Sequence, residues 1–340
     1  MNPEDRFVDE LRRRLRPADR LLVGPGDDAA VVAWGSDTLV VTTDTLVEGI
    51  DFLAGEDAAR IGRRAVSVAL SDLAAMGAWP DFLLLTIGFP RSVSEDFPLA
   101  VSLAASNRAE EFGAVLAGGD LTRAAETFVS ASLWGRPCGS PMKRSGARAG
   151  DVLYLSGSPG EAGAGLAVAR ARAGLDPVVG AGRWTPEELP VPWETHLLGA
   201  YRDPEPRLSL GRALARERLA TAAIDVSDGL GADAGRLALA SGVRLVIEKR
   251  EIPLSPALTA FCDLTGSDPV GLALQGGDDY ELLFSVAPGN AGRFADPPPE
   301  WGTAVQRIGR VEEGEGAVLE EDDGLRPVGA LGFDHFRFPP

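Results

Sequence analysis

TLVVTTD (38–44), AARIGRRAVSVALSDLAAMGA (58–78) and DFLLLTIGFP (81–90) read in order as strand, helix and strand. The first is a buried apolar run that ends on polar residues. The second carries apolar side chains at helical spacing through Ile61, Ala65, Val68, Ala69, Leu73 and Met76. The third is an apolar run stopped by Pro90. Outward from this unit the alternation continues. Residues 94–112 predict a helix, and 114–120 and 127–136 predict strands. The N-terminal MNPEDRFVDELRRRLRP predicts a short amphipathic helix with Phe7, Leu11 and Leu15 on one face. A turn-rich stretch at 136–151 marks the best boundary, dividing 1–140 from 141–340.

Beyond it, 151–157 predicts a strand, 161–174 and 204–217 helices, and 221–230 a strand turning into a helix. Residues 243–249 and 279–286 predict strands, 290–302 a loop, and 304–311 the last strand. The Pro-, Gly- and Trp-rich stretch 175–200 predicts an excursion or a lid. A chain of 340 residues suits two domains or one large one, and this alternation predicts an α/β fold with α+β layers. No repeat of fixed period is present.

Composition excludes several kinds of chemistry. The two cysteines, Cys138 and Cys262, form no Cys-x-x-Cys, which argues against a zinc knuckle or a disulfide framework. The two histidines, His196 and His335, lie in no nucleophile motif and read as ordinary surface or structural residues. Lys143 and Lys249 are the only lysines, and no phosphate-binding G-x-x-x-x-G-K-[ST] occurs. The net charge of −17 opposes a nucleic-acid backbone or an anionic membrane. No apolar run reaches the roughly 18 residues of a membrane span, and the N-terminus lacks a signal-peptide core. A cytoplasmic protein is expected. Its chemistry must rest on Asp, Glu, Arg, backbone amides and bound metal.

Aspartates recur in glycine-, serine- or threonine-rich strings beside apolar runs. GPGDDAAVV (24–32) holds Asp27 and Asp28, VVTTDTLVEGIDF (40–52) holds Thr42, Thr43, Asp44 and Asp51, and ALSDLAAMGA (69–78) holds Asp72. AGGDLT (117–122) holds Gly119 and Asp120, IDVSDGL (224–230) holds Asp225, Ser227 and Asp228, and QGGDDYELLF (275–284) holds Asp278 and Asp279. Taken singly, each has an ordinary reading as a solvated turn or a helix cap. Asp72 is the least easily dismissed, because its helical neighbours are nearly all apolar or small. Carboxylates gathered at buried element ends repel one another and take up protons unless cations hold them. A cluster of hard metal ions, Mg²⁺ first, holding a polyphosphate is the economical reading. The helix start at Ser227 and Asp228 would also offer amides to a phosphate. SGSPGEAGAG (156–165) lacks dinucleotide-loop spacing and reads as a strand–helix packing device, and Arg144 reads alone as a solvated linker arginine.

In order, GDDAAVV, TTDTLVEGIDF, SDLAAMGA, GGDLT, RSGARAGD, IDVSDGL, GGDDYELLF and a terminal GFDHF resemble the thiamine-monophosphate kinase family, from about residue 20 onward. That family sits in the ATP-binding superfamily of aminoimidazole ribonucleotide synthetase. The resemblance implies two α/β domains per chain and a homodimer that pairs N-terminal sheets. The second domain is expected to close over the nucleotide cleft. It implies phosphorylation of thiamine monophosphate by Mg-ATP, and leaves room for a monovalent cation. Asp28, Thr42, Thr43, Asp44, Asp72, Asp120, Asp225 and Asp228 match the family's metal ligands. Gly119, Asp120, Arg144 and Ser227 match its ATP contacts, so Asp44, Asp72, Asp120 and Arg144 are the expected catalytic group. Asp278 and Phe333 match thiamine contacts. Asp51 departs from the pattern, standing at a substrate contact where the family usually has histidine. The rivals are another ATP-dependent synthetase of the superfamily and a catalytically silent nucleotide- or metal-binding scaffold, which only Asp51 favours.

Overall fold

Alternating burial along residues 37–47 sets up the first sheet: Val40, Thr42 and Leu46 are buried while Thr43 and Thr45 are exposed. The computed structural model describes residues 3–16, 18–176 and 184–333. Its first half runs α1 (Pro3–Arg14), β1 (Leu21–Val23), β2 (Ala30–Trp34), β3 (Asp37–Val47), α2 (Ala58–Ala75), β4 (Ala78–Phe89), α3 (Phe97–Glu111), β5 (Val115–Arg123) and β6 (Phe128–Pro137). These strands form one mixed sheet in the order β1-β2-β3-β6-β4-β5, parallel only between β4 and β5. Helices α2 and α3 pack on one face.

The second half runs β7 (Val152–Ser156), α4 (Glu161–Arg172), α5 (Val191–Arg202), α6 (Leu208–Arg216), β8 (Ala220–Val226), α7 (Leu230–Ser241) and β9 (Arg244–Glu248). It continues through α8 (Pro256–Thr265), α9 (Pro269–Gln275), β10 (Glu281–Val286), β11 (Val305–Glu312), β12 (Gly316–Glu321) and β13 (Gly324–Pro327). Its mixed sheet has the order β13-β12-β9-β11-β7-β10-β8, parallel only between β9 and β12.

Helix α2 is the joint between the halves. Its apolar side chains Leu70 and Leu73 belong to one core that runs from Val40, Leu83 and Leu133 of the first sheet, past Leu210 and Leu214 of α6, to Leu282 and Phe284 of β10. Glycine lets the helices approach this closely. A Cβ on Gly62 would stand 2.2 Å from the Val101 carbonyl oxygen of α3, and one on Gly211 would stand 2.1 Å from that of Ala74. Polar ties from the same helix pair reach the second half. The Ser71 hydroxyl donates to Asp225 (2.8 Å), and buried Arg108 donates to Ser67 (2.9 Å) and Glu205 (2.6 Å).

Two expectations change. The strand at 304–311 is not the last, since β12 and β13 follow and extend the sheet edge. The stretch 175–200 contains α5, whose Leu197 is fully buried in a cluster with Val168 and Phe261, so this part is packed structure. Residues 177–183 of that stretch lie outside the described residues, as do residues 334–340, with the end of GFDHF and His335. The predicted N-terminal helix is present as α1, with Phe7 57% exposed and Leu11 partly buried.

Candidate active site

Period-two alternation on β3 sends Thr42 and Asp44 to the helix-covered face. There α2 presents Asp72, the turn before β2 presents Asp28, and the end of β8 presents Asp225. Carboxylate oxygens of Asp28, Asp72 and Asp225 lie within 4.8 Å of one another. The Thr42 hydroxyl donates to Asp72. Burial pushes Asp28 up to about 7, opposed by Arg144 and reinforced by Asp225. Burial likewise lifts Asp225 to about 7, with Asp233 adding to the rise. Asp72 is raised well above the ordinary range by burial and then by Asp44, Asp225 and Asp28. Burial raises Asp44 too, against a hydrogen bond with Asp72.

This donor set fits a hard cation. It consists of oxygens only, and the Asp28 Oδ2 atom is buried with no hydrogen-bond partner, which is costly unless a cation occupies that side. Arg144 offsets part of the charge, with Nη2 2.5 Å and Nε 2.8 Å from Asp28 Oδ1. Its own backbone N–H donates to Asp27 (3.0 Å). Arg144 is therefore bound into the site and is not a solvated linker residue.

The carboxylates floor a cleft of about 1750 Å³. Its walls include Arg144, Ser227, Asp228, Asp51, Asp278 and Phe333. The Phe333 amide donates to the Asp228 carbonyl (3.0 Å), which brings the C-terminal segment back to the cleft. The two acids of GGDDY divide their work. Asp278 faces the cleft at φ 68°, a left-handed conformation held by packing, while Asp279 caps α4 by accepting from the amides of Gly160 (2.7 Å) and Ala162 (3.2 Å). The Asp51 carboxylate accepts the Val47 amide (2.7 Å) and so closes its own turn.

Some expected residues do not meet the cluster within one chain. The Thr43 hydroxyl lies across the pleat from Asp72, paired with Ser132 at 2.9 Å. Asp120 is exposed on β5. In register it follows Thr45, Ser130 and Thr86 across the sheet, three strands from β3, or about 14 Å at ordinary strand spacing, on the face opposite Asp72. Neighbouring Gly119 is opposite Leu85 and likewise outside the cleft. The amides of Ser227 and Asp228 are not open to a phosphate, because buried Asp233 accepts both, at 3.1 and 3.0 Å.

Sequence reasoning missed Asp233, Arg236 and Arg64. Arg236 ties Asp228 and Asp233 together and meets Asp5 of α1 at 3.2 Å. Arg64 is 3% exposed and lies behind the cleft wall. Its position, three residues after Ile61 and four before Val68, puts a cation on the apolar face of α2, and that was its signal.

Two joined α/β halves with a carboxylate-floored cleft between them define the AIR synthase related class. Models of the AIR synthase related protein N-terminal and C-terminal domains match residues 26–136 and 148–321. Within that class the chain belongs to the thiamine-monophosphate kinase family. It is 35% identical to the thiamine-monophosphate kinase of Salmonella typhimurium, over 98% of this chain and 97% of that one. It is 32% identical to that of Aquifex aeolicus, over 92% of each. Among solved structures it is similar to AaThiL complexed with AMPPCP and TMP, with a TM-score of 0.82, 29% identity and 99% of each chain covered. The hydrogenase maturation protein HypE in complex with ATP shares the fold alone, at 20% identity and a TM-score of 0.66 over 99% of this chain and 96% of that one. Among the described residues no helix is long and apolar enough to cross a membrane.

Proposed function

We propose that this cleft phosphorylates thiamine monophosphate with ATP, giving thiamine diphosphate and ADP. The observation that carries the reading is the convergence of Asp28, Asp72 and Asp225 on one point of a cleft that also holds Arg144 and Phe333. A phosphate oxygen of the substrate attacks the γ-phosphorus in line. The new O–P bond forms as the bond to the β,γ-bridging oxygen breaks, and ADP leaves with that electron pair. The attacking oxygen is already anionic near neutral pH, so no protein base is needed. Among the described residues that line the cleft, the titratable groups are carboxylates, arginines and one tyrosine.

Asp28, Asp44, Asp72, Asp225 and the Thr42 hydroxyl would hold Mg²⁺, with Asp228 beside them. The bound cations supply charge neutralisation of the transferring phosphoryl group. Arg144, held at the cleft by Asp28, would position the nucleotide phosphates. Phe333 offers an aromatic face to the thiamine rings, and Asp278 offers carboxylate oxygens.

We also infer a homodimer, with the chain dividing near residue 140. The uncovered face of the first sheet carries Phe82 (53% exposed) and Val115 (56%) in register with Trp134, and Leu84 (38%) two residues along from Phe82, an apolar surface typical of an interface. Gly119 and Asp120 belong to the same sheet and act on nucleotide across that interface, in the cleft of the second copy.

The test is direct: incubate the protein with Mg²⁺, ATP and thiamine monophosphate and separate the thiamine species. Thiamine diphosphate and ADP are expected in equal amounts. Hydrolysis of ATP without thiamine diphosphate overturns the reading.

A further inference from the structure

Arg64 touches two of the three residues assigned to the thiamine side of the cleft, Asp51 and Asp278, without itself lining the cleft. Its Nη1 donates to the Asp51 carbonyl (2.6 Å), an oxygen that also accepts the Tyr201 hydroxyl (3.3 Å). Its Nη2 lies 2.9 Å from Asp278 Oδ2, an ion pair and not a well-directed hydrogen bond. The other oxygen of Asp278 accepts the Tyr280 hydroxyl (2.9 Å). The guanidinium plane sits over the Tyr201 ring, 4.4 Å from its centroid. Asp51 comes from the turn after β3, Asp278 from the turn before β10, and Tyr201 from α5. One buried cation thus joins three segments that are far apart in sequence.

Backbone geometry shows why such a joint is needed. Asp278 and Tyr280 adopt φ values of 68° and 49°, which non-glycine residues hold only when their surroundings fix them. Backbone bonds from Asp278 to Ser227 (2.7 Å) and from Tyr280 to Val226 (2.8 Å) anchor that turn to the end of β8. They leave the Asp278 side chain to be aimed by Arg64 and Tyr280. The pairing also sets what Asp278 can offer a ligand. Its charge is compensated from behind, so toward the cleft it acts as a hydrogen-bond acceptor more than as a free anion.

We propose that Arg64 is a positioning and specificity-determining residue for the thiamine-bearing substrate, holding Asp278 and the Asp51 turn in register from behind the cleft wall. The proposal rests on the kinase reading above. It requires Arg64 to govern recognition of the acceptor and to leave the nucleotide side alone, since its contacts reach neither Asp28 nor Arg144.

The experiment compares wild type, R64K, R64M, D278N and R64M/D278N by steady-state kinetics in both substrates. Thermal melting serves as a check on folding. Wild-type turnover comes first: absence of thiamine diphosphate there defeats the kinase reading itself and is seen before any variant is made. Given turnover, R64M is expected to raise KM for thiamine monophosphate about tenfold, with KM for ATP within about twofold. R64K should fall between R64M and wild type, because an ammonium restores the charge but cannot span both partners. In the double variant the R64M effect should largely vanish, since its main partner is already altered. An unchanged KM for thiamine monophosphate in folded R64M overturns the proposal. So does an equal rise in both KM values, or a full R64M effect on top of D278N. If R64M does not fold, R64K and R64K/D278N give the same cycle with the same deciding outcomes.

Discussion

At the scale of single residues, the carboxylates of the floor are costly groups to bury together without a cation. Asp28 and Asp225 hold their protons to about pH 7 when folded, against an ordinary value of 3.8, with burial as the first cause in both. A raised carboxyl pKa means that the folded chain binds more protons than the unfolded one between those values. This contribution to stability is complete below the ordinary value and is lost as pH rises through about 7. Mg²⁺ replaces those protons, so its stabilising effect should be larger at about pH 8 than at about pH 6. Melting temperatures with and without Mg²⁺ at both pH values check this, and an equal gain at both would refute it. Asp72→Asn should remove most of the Mg²⁺ gain and nearly all turnover while the fold survives. The acids were legible in the sequence because polar residues broke apolar runs in a recurring way. Which acid did what was less legible. Asp278 and Asp279 look identical as GGDDY, yet one faces the cleft and the other caps a helix, and only the path of the turn separates them.

Elements were read well where period and length agreed. The unit from β3 through α2 to β4 was visible because α2 shows five turns of apolar spacing between two apolar runs. The last strands were not visible, because β12 and β13 sit at a sheet edge in an acidic stretch with weak alternation. Helices α8 and α9 were missed although Ser255-Pro256 and Asp268-Pro269 are proper helix starts, with Ser255 and Asp268 both capping. They are short and lie among glycines and prolines that suggest loop. The contact between α2 and α6 yields a prediction at this scale. Gly211→Ala places a methyl against the Ala74 carbonyl and should cost about 1–3 kcal/mol, measured by urea unfolding with an unchanged slope. Activity should fall with it, because α2 carries Asp72. A neutral Gly211→Ala would mean that the helices have room to part.

At the scale of the whole molecule, the two faces of the first sheet define the main question. One face builds the cleft floor, and the other presents Asp120 beside an uncovered apolar surface. If two copies pair through that surface, each nucleotide site draws on both chains. Asp72→Asn and Asp120→Asn should then be almost inactive alone but recover about a quarter of wild-type activity after equal amounts are mixed, partly unfolded and reassembled, since half the dimers would hold one intact site. No recovery would place Asp120 in its own chain's site or outside catalysis. Phe82→Glu should split the dimer, as light scattering would register. The sequence named Asp120 but could not give its side of the sheet, because register across four strands is a tertiary property.

Helix α2 belongs to both cores and also carries the acid that most needs a cation. What fills the cleft therefore bears on how long the chain lasts as well as on how fast it works. A chain short of cation and nucleotide keeps those acids buried in the joint between its halves at a cost to both cores, so ligand binding there should protect the whole chain against unfolding and proteolysis. Supply of the ligands would thus set the amount of this protein along with its rate.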